Sequence, residues 1–238
     1  MTGKDTDQKH WAEIAEEWIT WARAPGHDAF WSYAEAFRDF VGTGSGEALD
    51  VGCGEGRVSR LIKELGYRVT AADPVAQFIK SAKELDSADH YEVAAAAALP
   101  FKDQSFDLAV AYNMLMDVED VPAAAKEIRR VLKPSGTLVI SIVHPFADRG
   151  SFAGPEPDAP FVLPGSYFGR ERFEGVEERD GLKMHFAGWS QPLEDYMAAL
   201  SGAGLAVTQI KEPVPQSSRQ RWSRIPLFLW LKVRPFPA

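Results

Sequence analysis

Apolar residues recur at three-and-four spacing at the start of the chain and at strand-like spacing from residue 47 onward. Residues 8–24 place Trp11, Ile14, Ala15, Trp18, Trp21 and Ala22 on one side and Glu13, Glu16 and Glu17 mostly on the other, which predicts an amphipathic helix. Pro25-Gly26 ends it, and a second helical pattern (Ala29, Phe30, Tyr33, Phe37, Phe40) runs into the glycine-rich stretch 42–46. Residues 1–41 therefore read as an N-terminal helical cap on a main domain, 42–238. Four of the seven tryptophans fall within the first 31 residues, more aromatic surface than two short helices can hide in each other. The cap must pack on the main domain, as core or as the wall of a ligand pocket.

Beyond the cap, strands are expected at 47–51, 67–72, 90–94, 106–112 and 137–143, with helices near 56–65, 75–88 and 121–132. That alternation predicts an α/β domain with a mostly parallel sheet. Pro122 suits a first helical turn, and Lys133-Pro134-Ser135-Gly136 supplies a stop before the apolar run TLVISIV. Residues of about 145–190 lose periodicity and gain glycine, proline and charge, as an insertion or lid would. Helical spacing resumes over 192–203, and 205–211 and 226–234 read as two last strands.

Composition adds bounds. With 238 residues, 45% of them hydrophobic, the chain suits one α/β domain with an appendage. Its 26 basic and 34 acidic residues leave a formal net charge of -8, which disfavours a nucleic-acid partner despite Arg219, Arg221 and Arg224 around Trp222. The lone cysteine, Cys53, excludes an intrachain disulfide and a multi-cysteine metal site, and no metal is expected. Without an apolar leader or a long apolar run, the expectations are no membrane contact, a cytoplasmic location, and a monomer or homodimer.

The chemistry is concentrated in Ala48-Leu49-Asp50-Val51-Gly52-Cys53-Gly54-Glu55-Gly56-Arg57, a strand that ends in a G-x-G-x-G turn and enters a helix. Such a turn lets a ligand lie against exposed backbone. Asp73 follows at the end of RVTAAD, where a carboxylate can accept from both hydroxyls of a ribose, so the pair points to an adenosine cofactor. Dinucleotide sites space their glycines as G-x-G-x-x-G; here the third comes one residue early and Glu55 precedes it, which is unfavourable to a pyrophosphate.

With this motif, AAD at 71–73, ALPFKDQSFDLAVAYNML at 98–115 and VLKPSGTLVIS at 131–141, the chain resembles the class I S-adenosylmethionine-dependent methyltransferases of the small-molecule type. The resemblance implies a Rossmann-like seven-stranded sheet of order 3-2-1-4-5-7-6 and methyl transfer from S-adenosylmethionine, with S-adenosylhomocysteine as product. It also implies cofactor contacts by Asp50, Gly52, Cys53, Gly54, Gly56, Asp73, Pro74, Ala96, Ala97, Leu99, Asn113 and Met114. Where the family commonly has an aspartate for the adenine amino group, this chain has Ala95, leaving adenine to backbone groups and apolar packing.

The expected acceptor is a small organic molecule. Methyl transfer is an in-line displacement that needs alignment more than a base. If a base is needed, His144 at the end of the fifth strand is the first candidate and His27 the second. Trp18, Trp21, His27, Tyr33, His144, Phe146, Tyr167 and Trp189 are the candidates for the acceptor's wall. Two alternatives stand beside this reading: an NAD(P)-dependent oxidoreductase on the same fold half, and a non-methylating S-adenosylmethionine-binding protein.

Overall fold

The computed structural model describes residues 6–216 and 221–236; Arg219 lies outside the described residues. The cap comprises α1 (Thr6–Glu13), α2 (Ala15–Arg23), a single-turn 3-10 helix (Ala29–Ser32) and α3 (Ala34–Val41). The one helix expected over 8–24 is thus two, interrupted at Ile14 (φ -103°, ψ 12°). Asp28 caps the 3-10 turn by accepting from the Phe30 N–H at 2.7 Å.

The α/β repeat follows: β1 (Glu47–Val51), α4 (Arg57–Glu64), β2 (Arg68–Asp73), α5 (Ala76–Glu84), β3 (His90–Val93), β4 (Phe106–Tyr112), α6 (Val121–Val131) and β5 (Leu132–Val143). Next come a one-turn helix α7 (Pro145–Asp148), the short pair β6 (Ser151–Phe152) and β7 (Phe161–Val162), and a hairpin of β8 (Glu171–Arg179) and β9 (Leu182–Ser190). Helix α8 (Leu193–Gly202) then leads to β10 (Leu205–Lys211) and β11 (Phe228–Pro235).

The seven sheet strands lie in the order β3-β2-β1-β4-β5-β11-β10, parallel except for β11, which runs antiparallel to both β5 and β10. This is the expected Rossmann-like architecture. Lys133-Pro134-Ser135-Gly136 forms an excursion between the pairs Phe106–Leu132 and Leu108–Thr137, after which the register continues unbroken to Tyr112–Ser141.

Each face of the sheet buries its own apolar layer. Leu49, Leu138, Ile140 and Ile142 pack with Ile128 and Val131 of α6 and Leu200 of α8. On the other face Val69, Val110, Val139 and Trp230 pack with Leu61 and Ile62 of α4 and with Tyr33, Phe37 and Phe40 of the cap. The cap helix α3 is therefore continuous with the sheet's core, which accounts for part of the aromatic excess near the N-terminus.

The segment expected to be an irregular lid contains the β8–β9 hairpin, paired over nine rungs from Glu171–Ser190 to Arg179–Leu182. Its loop is Asp180-Gly181, both at positive φ (52° and 77°), the two-residue turn that matches strand twist. The hairpin lies over α1 and α2. Asp7 pairs with Arg172 and accepts from Trp189 Nε1 at 2.7 Å. His185 Nδ1 meets Glu17 Oε2 at 2.7 Å, and Arg179 donates to the Gly26 carbonyl at 2.6 Å. Cap and hairpin are thereby fastened to each other at three heights. Arg221 donates to the Gly154 carbonyl and Arg224 to those of Pro157 and Ala159, so these two guanidinium groups brace the insertion.

Candidate functional site

A cavity of about 1350 Å³ opens at the carboxyl ends of β1, β2 and β4 and is walled by the cap and the hairpin. This is the edge at which open α/β sheets bind ligands. Its floor is the turn after β1. Gly52 and Gly54 hold φ of 70° and 53°, a region costly for residues with a Cβ. A Cβ on Gly52 would lie 2.7 Å from Met114 Cβ, so the absence of a side chain lets β1 and the segment after β4 approach each other.

Asp73 ends β2 at the cavity wall, 6% exposed. It accepts from the Gly54 N–H (Oδ2, 3.0 Å) and the Val75 N–H (Oδ1, 2.9 Å), which fixes its plane and leaves lone pairs on both oxygens for a ligand. Burial lifts its carboxyl to about 6, against the pull of those two N–H groups. Asp50 is buried beneath the turn. Ser59 Oγ donates to its Oδ2 at 2.6 Å, whereas Oδ1 has no partner, and burial pushes the carboxyl up to about 7. Burial likewise raises the Cys53 thiol, so no activated thiolate sits in the turn.

Glu55 does not face a ligand phosphate. It is 1% exposed and paired with Arg60 (3.0 Å) and Arg23 (3.3 Å), which ties α2 to the turn and to α4. Ala95, Ala96 and Ala97 line the far wall, bringing no carboxylate to it. Trp18 closes the turn from above, its Nε1 3.2 Å from where a Gly54 Cβ would be. Among the described residues, no group of three or more His, Cys, Asp or Glu could hold a metal ion.

A family profile described as "Methyltransferase domain" matches residues 49–140, the span from the glycine turn through β5. Over that span the chain is similar to a methyltransferase domain. It is 34% identical over 95 residues to the malonyl-acyl-carrier-protein O-methyltransferase of Serratia marcescens, a match covering 40% of this chain and 37% of that protein. The chain thus spans well under half the length of that curated relative. A structure of an S-adenosylmethionine dependent methyltransferase from Mesorhizobium loti superposes with a TM-score of 0.66 at 24% identity, covering 87% of this chain and 98% of that one. The cyclase SpnF superposes with a TM-score of 0.65 at 16% identity, over 98% and 97%. At these identities the two structures establish the fold.

Of the residues expected around the cofactor, the fold brings Gly52, Cys53, Gly54, Asp73, Pro74, Ala96, Ala97, Asn113 and Met114 to the cavity wall. Asp50, Gly56 and Leu99 stand behind it. Asn113 holds a positive φ of 49°, accepting at Oδ1 from Ser141 Oγ (2.7 Å) and donating its N–H to the Ser141 carbonyl (2.7 Å).

Of the residues expected around the acceptor, Trp18, Trp21, His27 and Tyr33 line the cavity. His144, Phe146, Tyr167 and Trp189 do not. His144 caps α7 through Nδ1, which accepts from the Phe146 N–H at 3.1 Å, and its Nε2 meets Glu212 at 3.2 Å. Phe146 stacks on Phe161 outside the cavity, the Tyr167 hydroxyl accepts from the Leu193 N–H, and Trp189 is engaged by Asp7 and Arg170. His27 has both ring nitrogens against carbonyl oxygens, of Pro25 (3.2 Å) and Arg179 (3.1 Å), so both are already engaged by the chain itself.

The cavity also holds residues outside that expected set: Arg57, Tyr112, Phe228, Asp28, Asp117 and Asp148. Asp117 is desolvated, with its carboxyl raised by burial and by the neighbouring Asp7 charge. Asp148 is lifted to about 6, chiefly by burial. The capping role before α6 belongs to Asp120, which accepts from the Ala123 N–H at 2.9 Å.

Proposed function

We propose that this protein transfers a methyl group from S-adenosylmethionine to a small organic acceptor held in the same cavity. The observation that carries the reading is the continuity of one cavity from the glycine turn and Asp73 to the aromatic cap. The residues fit the cofactor on three counts. Asp73 presents fixed lone pairs suited to two ribose hydroxyls, Gly52 and Gly54 put no Cβ between a ligand and their backbone, and the orphaned Asp50 Oδ1 lies behind the wall at the expected amino-acid end.

When bound, the cofactor supplies an electrophilic methyl on a sulfonium, a group already activated for displacement. The chain's own work is alignment and exclusion of water. Gly52, Cys53 and Gly54 would flank the amino-acid portion, and Asn113 and Met114 would close it from the β4 side. Adenine would rest against Ala95, Ala96 and Ala97 through backbone and apolar contacts. Trp18, Trp21 and Phe228 would press the acceptor toward the methyl. With His144 outside the cavity and His27 occupied by carbonyls, Asp117 and Asp148 are the proposed proton acceptors for a protonated nucleophile such as an amine.

The test is a calorimetric titration of the purified chain with S-adenosylhomocysteine, with NAD as control, followed by an acceptor panel read out as released S-adenosylhomocysteine. Micromolar binding of the thioether without NAD binding is the expected result. NAD binding alone would replace the reading with the oxidoreductase. A bound thioether with S-adenosylmethionine never consumed would replace it with a non-methylating role.

A further inference from the structure

Where the cap meets the hairpin, the cavity carries a carboxylate among aromatic rings. Asp117 ends the single turn of 3-10 helix (Leu115–Asp117) that follows β4, and it lines the cavity. Gly188 of β9 locates it. A Cβ there would lie 2.9 Å from Asp117 Oδ1 and 3.1 Å from the Phe173 ring, so the carboxylate and the ring edge meet at one point of the hairpin. Trp11 turns its indole N–H toward the same carboxyl without completing an aligned hydrogen bond. The Trp11 ring packs edge-on to Trp18 (5.7 Å between centroids), Trp18 to Phe186 (6.4 Å) and Phe186 to Trp21 (6.3 Å). All five rings belong to residues of the cavity wall. The charges that act most on Asp117 are anionic, those of Asp7, Asp148 and Asp73, and Asp7 is already taken by Arg172.

Rings and a carboxylate are the two components that hold an organic ammonium ion: ring faces attract the cation and the carboxylate accepts from its N–H groups. We propose that this corner is the acceptor subsite and that the acceptor is a cationic amine, seated with its ammonium between Asp117 and the rings of Trp11 and Phe173. A neutral or anionic acceptor leaves the Asp117 charge desolvated and uncompensated, whereas an ammonium supplies the missing counter-charge. Burial and the Asp7 charge hold the empty carboxyl above the usual carboxylate range, a cost that an arriving cation relieves. The Asp117 N–H donates to the Met114 carbonyl at 3.0 Å, which sets the subsite one helical turn beyond the wall expected for the cofactor's amino-acid end.

This inference rests on the proposed methyl transfer only in calling the amine the methyl acceptor. Calorimetry on the full chain, with and without saturating S-adenosylhomocysteine, tests it with three probes: phenethylamine, its trimethylammonium analogue and the neutral 2-phenylethanol. Saturation takes the cofactor's own ammonium position out of play. Both cations should bind about tenfold to a hundredfold more tightly than the alcohol. Asp117→Asn should remove that preference and keep the affinity for S-adenosylhomocysteine. Gly188→Ala, which displaces Asp117 Oδ1 and the Phe173 ring while keeping every charge, should reduce the preference as well. Equal binding of cation and alcohol by the unaltered chain, binding of neither, or a preference unchanged in both variants overturns the subsite. So does cation binding that disappears once S-adenosylhomocysteine is present, since the cations then occupied the cofactor's place. Failure of the unaltered chain to bind S-adenosylhomocysteine overturns the cofactor reading instead, and the titrations without it still decide whether the corner holds an ammonium.

Discussion

Asp73 and Asp50 show how burial at single residues ties ligand binding and stability to pH. In the proposed complex the ribose hydroxyls donate to Asp73 as a carboxylate, and burial holds that group at about 6, so protonation competes with binding. S-adenosylhomocysteine affinity should be flat above about pH 7 and fall by up to about tenfold per unit below about pH 6. Asp73→Asn should bind about tenfold to a hundredfold more weakly at pH 8 and lose most of that pH dependence, as read by calorimetry across pH. Asp50 acts on stability. Its carboxyl is raised to about 7 in the fold against about 3.9 in the unfolded chain, so between those values the folded state holds the extra proton. Its contribution to stability therefore declines as pH rises through that window. Urea unfolding of Asp50→Asn should show a gain over the unaltered chain that is larger at pH 8 than at pH 5. The carboxylates of the turn were legible in the sequence because their neighbours are local: a strand end, two glycines, a helix start. Arg57 and Tyr112 stand inside the same motifs, but their surroundings are made by Phe30 and Phe228, residues of distant segments. His144 reads as a candidate base from its place at the end of β5, and Glu212, 68 residues away, occupies its outer nitrogen.

At the scale of elements, alternation fails where both faces of a strand meet water. β1, β2, β4, β5 and β11 were readable because each buries at least one face, while most of β8 is exposed and carries charge in place of an apolar stripe. The Asp180-Gly181 dipeptide was the surviving signal for the hairpin, and nine residues of mixed polarity on either side mask it. What holds the hairpin is long-range, part of it aromatic packing of Phe186 on Trp18 and Trp21 and part of it polar. Arg172 reaches Asp7, a buried acid on α1 that Trp189 also contacts. Truncating one partner of such a pair leaves the other unpaired, a cost well above that of an exposed ion pair. Arg172→Ala should therefore speed amide exchange in α1 and β9 while leaving β1, β4 and β5 protected, measured by hydrogen exchange with mass spectrometry. Uniform acceleration across the sheet would show that the hairpin supports the whole fold instead.

The whole molecule places its ligand cavity between a rigid floor and a roof made of two chain segments fastened together. The floor is sheet and glycine turn, with Gly52 packed against Met114. The roof consists of Trp18 on α2, Phe186 on β9 and Phe173 on β8, joined through Asp7–Arg172, Glu17–His185 and Arg179 to the Gly26 carbonyl. Because those contacts tie the cap to the hairpin, one segment cannot lift without breaking them or carrying the other along. A roof that lifts to admit ligand must therefore move as one unit, and concerted motions of packed segments fall in the microsecond-to-millisecond range. Rapid mixing with S-adenosylhomocysteine, followed by tryptophan fluorescence from Trp11, Trp18 and Trp21 around the cavity, should show an observed rate that rises with ligand and then levels off at the opening rate. Arg172→Ala, by releasing one fastening, should raise that plateau while changing the equilibrium affinity less than the rate. A rate that stays linear in ligand concentration, at values typical of unhindered docking, would mean that the roof stands open in solution and that the fastenings set the cavity's shape rather than its access.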